Sequence, residues 1–316
     1  MIKMFSLTLT QMLMLFLCIA IGFAFTKLKI LPEGSSKVMA KLETWIFVPA
    51  LNFITMVRFC TKEYMGDHII NIVLAVFGVA FIMGVAILLS RLFAKRGSYE
   101  RGVYAYALAF ANGGYMGDPI VRALFSDIGF TYYKLFYFPF SIMINSWGIV
   151  ALTPATEKRS NVWLKLLNAP TIAMLVGIAV GLSGLGGYLP TFVTGSLDSL
   201  KSCMAPVAML LAGATMAKYD VFSMLKRKGA YVATAYSILI RPVLLVALVF
   251  GLKTLANTVF GLSIGNDVLF LAFFGSASAI GLNTVVFPEA YGGDPEIGAS
   301  MTLISHTMCV FTIPLS

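Results

Sequence analysis

Long apolar stretches separated by short polar segments occupy most of the chain, which has 316 residues. A helix needs about 20 residues to cross the hydrocarbon core of a bilayer. Uncharged stretches of that length lie at 4–26, 69–90, 135–156 and 268–288. Another span lies within 166–197, and spans interrupted by a charge or a proline lie at 38–57, 101–125, 199–217, 229–252 and 297–315. The pattern predicts an all-α integral membrane protein with ten transmembrane helices.

The composition indicates the same class of protein. Apolar residues make up 59% of the chain and charged residues only 12%, whereas an average soluble domain has about 25% charged residues. The first apolar stretch is longer than the roughly 7–15 apolar residues of a signal peptide, and no small-x-small cleavage site follows it. We therefore expect it to be a true span. The four cysteines are isolated, which favours a packing role over a redox or metal role.

The 23 lysine and arginine residues are distributed unevenly between the connections. The odd-numbered connections contain 15 of them: Lys27, Lys29, Lys37, Lys41, Arg91, Lys95, Arg96, Arg101, Lys158, Arg159, Lys165, Lys218, Lys226, Arg227 and Lys228. By the positive-inside rule these connections are cytoplasmic, and both termini lie outside. The net charge of +9 therefore indicates membrane topology, not a nucleic-acid partner. We expect a multi-pass protein of the cytoplasmic (inner) membrane, with lipid as its surroundings.

The two halves of the chain share a pattern. Segments 30–57 and 188–216 both contain Leu-Pro, then a polar stretch, then a span with a proline near its middle, and these prolines are Pro49 and Pro206. The same offset superposes span one (4–26) on span six (within 166–197) and span three (69–90) on span eight (229–252). The sequence therefore predicts two five-helix repeats, and the second is inverted because five is an odd number. The alternative is a chance similarity between two proline-containing helices.

Spans four and nine contain residues that weaken a transmembrane helix. Span four includes "ANGGYMGDPI" at 111–120, and span nine includes "FGSASAIGLNTVVFPEAYGGDPE" at 274–296. Glycine and proline destabilise a helix interior, and irregular backbone at membrane depth survives only when it is buried in protein or lines a cavity. We predict that both helices break and cross near the midplane. The residues assigned to the breaks are Pro119, Gly275 and Pro288.

A crossing of two broken helices would form a small polar site. Each half-helix that begins again has free N–H groups and a partial positive charge at its N-terminus, which suits an anion. The predicted substrate-binding residues are Asn112, Gly113, Gly114, Gly117, Ser276, Ser278, Gly281, Asn283 and Thr284. The alternative for each stretch is a mere kink or a close helix contact.

These features also carry a resemblance to a known family. Its marks are "NGGYMGDPIVRALF" in span four, "NAPTIAMLVGI" in span six, "LPTFVTGSLDSLKSCMAPVAMLLAGATMA" leading into span seven, and "VVFPEAYGGDPEIGASMTLIS" with a late "TIPL" across spans nine and ten. In the order and spacing of these motifs, the chain resembles the auxin efflux carrier family of secondary transporters. That family includes plant PIN-type carriers and bacterial malate or malonate permeases.

The resemblance implies a fold similar to that of bile-acid symporters and cation/proton antiporters. It implies scaffold helices 1–2 in residues 1–60 and 6–7 in residues 158–218. Transport-domain helices 3–5 would lie in residues 61–157 and helices 8–10 in residues 219–316. The family implies elevator-type transport of a small organic anion, a homodimer formed through the scaffold helices, and a crossover asparagine that corresponds to Asn112.

The chain departs from the family pattern at two positions. Ala279 stands about where span nine of the family has a proline. In span four, Gly117-Asp118-Pro119 replaces the usual Gly-apolar-Pro. Asp118 is therefore a candidate for coupling transport to H⁺ or Na⁺, since an intramembrane carboxylate commonly carries ions or protons. Alternatively it caps the second half-helix or pairs with Arg122, four residues on.

Other polar residues at membrane depth have two interpretations each. Arg241 in span eight either attracts a substrate carboxylate or pairs with a carboxylate of the protein. His306 in span ten either makes a structural hydrogen bond or relays protons. Glu43 is expected to pair with a nearby lysine. Glu289 and Asp294 are expected at a solvated rim, and the aromatic-rich segment 132–140 is typical of an interfacial belt.

Competing functions fit the sequence less well. "YMGDP" resembles the Gly-x-Gly-Asp of intramembrane aspartyl proteases, but Tyr115 replaces the first glycine and Asp220 falls in a basic loop. Two carboxylates must share that site and the spans offer only one, so we do not expect an enzyme. Phosphate-loop, Ser-His-Asp and zinc signatures are absent from the sequence, and we expect no cofactor and no metal site. A channel would distribute polar residues over several helices. The alternative within transporters is a Na⁺-coupled bile-acid-type symporter or a cation/proton antiporter on the same fold.

Overall fold

The computed structural model describes residues 2–95, 97–154 and 167–315. Four of the basic residues used for the topology prediction, Arg96, Lys158, Arg159 and Lys165, lie outside the described residues. In the first half of the chain the α-helices are α1 (Ile2–Lys27), α2 (Ser35–Leu42), α3 (Val48–Phe59), α4 (Lys62–Leu89), α5 (Tyr99–Ala109), α6 (Asp118–Leu124), α7 (Asp127–Met143) and α8 (Ile149–Ala151). In the second half they are α9 (Ala169–Ser183), α10 (Thr191–Met216), α11 (Val221–Leu225), α12 (Lys228–Ala235), α13 (Arg241–Phe260), α14 (Asp267–Ser276), α15 (Asn283–Tyr291) and α16 (Glu296–Leu315).

Six helices within the described ranges are long and apolar enough to cross a membrane. They are Phe5–Lys27, Ser35–Phe59, Ile69–Leu92, Thr191–Met216, Lys228–Phe260 and Glu296–Ile313. Ala169–Ser183 and Asp267–Ser276 are shorter apolar helices. The chain is therefore an all-helical multi-pass membrane protein, as its apolar pattern predicts.

Three π-helical turns stand shortly before a proline. A proline lacks the N–H for the usual helical hydrogen bond, and its ring clashes with the carbonyl four residues earlier. A wider turn with i→i+5 bonding separates these groups, and one residue lies between each such turn and its proline. The turns are Glu43–Phe47 before Pro49, Gly113–Gly117 before Pro119 and Tyr236–Ile240 before Pro242. Helices α2–α3 and α12–α13 therefore continue through their prolines.

Within the described part of the chain, the most extensive helix packing joins α1 to α10 and α3 to α9. Glycine makes the first contact possible. A Cβ at Gly22 would lie 2.1 Å from the carbonyl oxygen of Leu210, and a Cβ at Gly213 would lie 1.9 Å from that of Ile19. Small residues allow transmembrane helices to approach backbone to backbone, so α1 and α10 can form a tight pair.

Spans four and nine are both broken, and their breaks meet. Helix α5 ends at Ala109 and α14 ends at Ser276. Among the described residues the only β-type pairing is the antiparallel bridge between Ala111 and Ile280. Its hydrogen bonds run from the N–H of Asn112 to the oxygen of Ala279, at 2.8 Å, and from the N–H of Gly281 to the oxygen of Phe110, at 3.1 Å.

The breaks lie at 110–112 and 277–282, away from the three residues assigned to them from the sequence. Pro119 lies in the first turn of α6, where a proline is well tolerated. Gly275 lies in the last turn of α14 and Pro288 lies inside α15, so their assignment to the breaks was wrong. The positions of the breaks follow from the bridge, because the unwound backbone groups of each segment bond to the other segment.

Candidate functional site at the helix crossing

A small cavity of about 60 Å³ lies beside the crossing, which is enough for a few water molecules or a small solute. Its walls come from both broken spans and from α3, α7 and α10. Its polar lining residues are Asn52, Thr55, Asn112, Tyr115, Lys134, Tyr137, Ser141, Asn145 and Asn283. Asn52, Asn112, Lys134 and Asn145 are each less than 9% exposed. The cavity is therefore a polar site buried among apolar helices.

Five of the nine residues predicted to bind substrate line this cavity. They are Asn112, Gly113, Gly114, Gly281 and Asn283. The half-helices that follow the two breaks begin in this part of the chain, and the first N–H groups of a helix have no partner within it. The sequence therefore located the crossing segments correctly along the chain.

The other four predicted residues do not line the cavity. The hydroxyl of Ser276 donates to the carbonyl of Ala272 at 2.6 Å, and that of Thr284 donates to the carbonyl of Gly281 at 3.0 Å. Gly117 and Ser278 line a separate small pocket. Ser276 and Thr284 therefore use their hydroxyls within their own chain segment, although they are close to the cavity in sequence.

The amide of Asn112 is held by His306. Nδ1 of His306 lies 2.9 Å from the carbonyl oxygen of Thr302, and Nε2 lies 2.9 Å from Nδ2 of Asn112. A carbonyl only accepts, so Nδ1 carries the proton and Nε2 accepts from the amide. The oxygen Oδ1 of Asn112 is buried without a hydrogen-bond partner among the described residues. The hydrogen bond to His306 therefore occupies the nitrogen of the Asn112 amide and leaves its oxygen without a partner in the described part of the chain.

The amide of Asn283 is held differently, by two buried tyrosines. Nδ2 of Asn283 donates to the hydroxyl of Tyr106 at 3.1 Å, and the hydroxyl of Tyr115 donates to Oδ1 of Asn283 at 3.3 Å. Tyr106 is fully buried and Tyr115 is 5% exposed. The two asparagines of the cavity wall are therefore held by different partners.

Tyrosines of α7 satisfy the backbone that the first break releases. The hydroxyl of Tyr133 donates to the oxygen of Gly113 at 3.4 Å, and that of Tyr137 donates to the oxygen of Ala111 at 3.3 Å. A Cβ at Gly113 would lie 2.4 Å from Cζ of Tyr137, so this contact requires glycine. The interfacial-belt interpretation of segment 132–140 was therefore wrong for these side chains, which are 1% and 3% exposed.

Arg241 binds the carbonyl ends of both broken helices. Its guanidinium donates to the oxygen of Ser276 from Nε at 3.3 Å and from Nη2 at 3.1 Å. Nη2 also donates to the oxygen of Ser278 at 3.1 Å, and Nη1 donates to the oxygen of Ala107 at 3.3 Å. Helix C-termini carry partial negative charge. Arg241 is 1% exposed, and within the described residues its partners are these carbonyls, not the carboxylate that the sequence suggested.

Asp118 pairs with Lys134 of α7. Nζ of Lys134 lies 2.9 Å from Oδ2 and 3.2 Å from Oδ1 of Asp118, and both residues are buried. The alternative pairing with Arg122 was wrong, because that guanidinium lies over the ring of Phe130 at 3.8 Å. Sequence reasoning missed Lys134 as a residue that lines the cavity. A lysine inside an apolar span was the available signal, since such residues usually mark functional sites.

Two other carboxylates differ from the sequence prediction. Glu289 is 7% exposed and accepts hydrogen bonds from Lys218 at 2.5 Å, Thr215 at 3.0 Å and Ser36 at 3.2 Å. Its placement at a solvated rim was therefore wrong. Asp294 is exposed, as expected, and accepts from Tyr219. Burial, together with nearby carboxylates, raises the pKa of the Tyr219 phenol, so this hydroxyl remains a donor at physiological pH.

Glu43 does not pair with a lysine. It is fully buried, and neither carboxylate oxygen has a hydrogen-bond partner among the described residues. Lys37 and Lys41, the nearest lysines in sequence, are both exposed. The expected ion pair was wrong because the lysines lie on the opposite side of the helix from Glu43.

Apolar spanning helices and two broken helices that cross beside a buried polar cavity are typical of a membrane transport protein. The family model described as "Membrane transport protein" matches residues 7–316. The chain therefore belongs to this family of auxin efflux carrier-like transporters, as its motifs suggested. No curated protein matched the chain in a direct comparison.

Proposed function

We propose that this protein is a secondary active transporter of a small organic anion across the cytoplasmic membrane. The substrate would be a carboxylate such as malate, malonate or an auxin-like acid. The observation that carries the proposal is the buried ammonium of Lys134, which lines the same cavity as Asn112 and Asn283. Each asparagine amide uses one of its two N–H donors on His306 or Tyr106. The buried cation and the second N–H of each amide would suit a carboxylate.

The ion pair with Asp118 bears on how a substrate would bind. Lys134 already has a carboxylate partner at 2.9 Å, so an incoming carboxylate would share or replace that partner. The side-chain donors of the cavity and the free N–H groups of the half-helices beginning at Gly113 and Asn283 would supply further hydrogen bonds. The small volume favours a short carboxylic acid over a steroid-sized ligand.

We further propose ten spans arranged as two inverted five-helix repeats. The exchange of repeats converts the α1–α10 pair into the α9–α3 pair. Among the described helices, these two pairs have the most extensive contacts. The breaks in spans four and nine also correspond and pair in antiparallel orientation. Both observations support the repeat, and with the positive-inside rule they support termini on the outside.

An elevator motion would move residues 61–157 and 219–316 against scaffold residues 1–60 and 158–218. Glu289 of α15 supports this division, because its partners Ser36, Thr215 and Lys218 belong to or adjoin α2 and α10 of the scaffold. These contacts would hold one position of the transport domain. We also propose that the protein forms a homodimer through its scaffold helices and that lipid surrounds this dimer.

Uptake into proteoliposomes tests the function. Mono- and dicarboxylates are screened at two pH values, with and without Na⁺. We expect Asn112→Ala and Asn283→Ala to abolish uptake while the protein still folds, because each removes an amide from the cavity wall. Asn257→Ala is the matched control, since Asn257 hydrogen-bonds the loop residue Ile264 outside the cavity. Normal flux in both cavity variants would refute the site.

One observation supports the alternative function, which is a cation/proton antiporter or a Na⁺-coupled bile-acid-type symporter. A buried Asp118–Lys134 pair could exchange its ammonium for a transported cation. In that case the liposomes would exchange Na⁺ for H⁺ without any organic anion, or would take up a bile acid only with Na⁺. Carboxylate uptake without either behaviour supports the organic-anion function.

A further inference from the structure

Glu43 lies on a buried stripe of the second span. Ser36, Ala40, Glu43 and Phe47 follow helical spacing, and each is at most 9% exposed. The turn that contains Glu43 packs against α10 and α15 as well as its own helix neighbours. In the proposed division α15 belongs to the transport domain, whereas Glu43 belongs to the scaffold. Glu43 therefore lies beside the surface along which the two parts would move.

Nothing in the described part of the chain neutralises this carboxylate. Both oxygens of Glu43 are buried without a hydrogen-bond partner. An ionised carboxylate in such surroundings is strongly disfavoured, and the usual escape is to take up a proton.

The charged groups on the neighbouring elements form ion pairs with other residues or are exposed. On α10, Asp198 pairs with Lys201 and with Arg58 of α3. On α15, Glu289 pairs with Lys218. Helix α9 contains no titratable side chain, and the lysines of α2, Lys37 and Lys41, are exposed. The phenol of Tyr115 donates to Asn283 and is not a cation.

We propose that Glu43 is a proton-binding site that couples proton movement to carboxylate transport. In the conformation described, the side chain is a neutral carboxylic acid. When α15 slides along α2, Glu43 reaches water on one side of the membrane and releases its proton there, and it takes up a proton from the other side in the opposite conformation. The ligand is a proton and not a metal ion, since the described residues contain no cluster of acids, histidines or cysteines that could hold one.

This inference rests on the proposed function, so its first test is independent of transport. Infrared difference spectra of purified wild-type protein and Glu43→Gln at neutral pH should differ by the carbonyl-stretch band of a protonated carboxylic acid. Glutamine is close in shape to the neutral acid, so we expect this variant to fold with an unchanged melting temperature. Loss of the band in Glu43→Gln supports the site, and absence of the band from the wild-type protein overturns it.

The second test separates coupling from substrate movement. Liposomes are loaded with the carboxylate that the screen identifies, and counterflow is compared with accumulation driven by a pH gradient. With one proton per substrate, a gradient of one pH unit supports about a tenfold accumulation. We expect Glu43→Gln to keep counterflow within about twofold of wild type and to lose the gradient-driven accumulation.

The matched control is Glu33→Gln, which changes an exposed carboxylate just before α2 and should preserve both activities. If Glu43→Gln accumulates substrate as wild type does, the coupling role is wrong while the transport function stands. Failure of wild-type counterflow with every carboxylate would instead refute the proposed function, and the infrared band would still decide whether Glu43 holds a proton.

Discussion

Asn112 donates a hydrogen bond from its side-chain amide to Nε2 of His306, and the two nitrogen atoms lie 2.9 Å apart. The other ring nitrogen of His306 is engaged with the carbonyl of Thr302. The imidazole is therefore fixed as one tautomer, and it fixes the amide in turn. The crossover asparagine thus takes its orientation from span ten, far away in sequence.

The first prediction concerns this orientation. His306→Ala removes the acceptor, so the Asn112 amide can rotate away from its position on the cavity wall. A hydrogen bond contributes about 0.5–1.5 kcal/mol net, so the KM for uptake should rise about two- to tenfold with a smaller change in the maximal rate. The measurement is the dependence of initial uptake rate on substrate concentration.

His306→Gln is the companion variant, because its side-chain oxygen can accept from the Asn112 amide. Partial recovery of the KM is expected. If His306→Ala and the wild-type protein have the same KM, His306 does not position Asn112.

A second prediction distinguishes two adjacent glycines. A Cβ at Gly113 would lie 2.4 Å from the Tyr137 ring, whereas a Cβ at Gly114 would lie 3.9 Å from its nearest neighbour, Cε of Met204. Overpacking of this kind costs about 1–3 kcal/mol. Gly113→Ala should therefore lower the melting temperature in detergent and reduce uptake. Gly114→Ala should be close to wild type in stability, and equal melting temperatures for the two variants would contradict the close contact with Tyr137.

A third prediction concerns Arg241, whose guanidinium binds carbonyls of both broken helices. A lysine carries the same charge but lacks the fork of donors that reaches three carbonyls at once. Each buried acceptor left unpaired costs about 1–3 kcal/mol. We expect Arg241→Lys to destabilise the protein by about 3 kcal/mol or more, as measured by thermal or denaturant unfolding.

The control for Arg241→Lys is Arg58→Lys. The Arg58 side chain is 44% exposed in its pair with Asp198, and exposed ion pairs contribute about 1 kcal/mol or less. A comparable loss of stability in both variants would mean that the bridging hydrogen bonds of Arg241 are unimportant.

The fourth prediction separates stability from binding at the Asp118–Lys134 pair. Lys134→Met leaves a buried carboxylate without its cation, and breaking such a pair costs about 3–5 kcal/mol. The double variant Asp118→Asn with Lys134→Met should recover most of that stability, because no buried charge is left alone. Uptake of a carboxylate should stay absent in the double variant. Transport by the double variant at the wild-type rate would exclude Lys134 from substrate binding.

Asp118→Asn alone tests the coupling role suggested by its place in span four. If Asp118 carries the coupling ion, this variant should lose the dependence of uptake on pH or Na⁺. If the dependence is unchanged, Asp118 serves only to hold Lys134 in the cavity. The same pH series with Glu43→Gln shows which of the two carboxylates responds.

The crossing shows where local sequence patterns are reliable. Glycine-rich segments in spans four and nine indicated interruptions because glycine and proline weaken a helix whatever surrounds it. The residue-level assignment was less successful. Pro119 begins α6, Gly275 ends α14 and Pro288 lies within α15, since the unwinding occurs where the two segments exchange backbone hydrogen bonds.

Partners of buried charged groups were the least predictable feature. Arg241 binds backbone carbonyls, Asp118 pairs with Lys134 rather than Arg122, and Glu43 has no partner among the described residues. For Asp118 and Glu43 the sequence suggested a partner nearby in the chain, whereas the partners of Asp118 and Arg241 come from other segments. Such pairings depend on helix packing and rotation, which no single span specifies.

The sequence by itself determined the class of protein, the presence of several apolar membrane helices, the two broken segments and the family. The spanning helices and the breaks follow from local physics, because every span must match the thickness of the bilayer and satisfy its own backbone. The family follows instead from the order and spacing of its motifs. Only the tertiary structure decided that Asn112 meets His306, that Lys134 enters the cavity and that Glu43 is buried unpaired. The physical reason is that burial and hydrogen bonding of a side chain depend on helices that approach from distant parts of the chain.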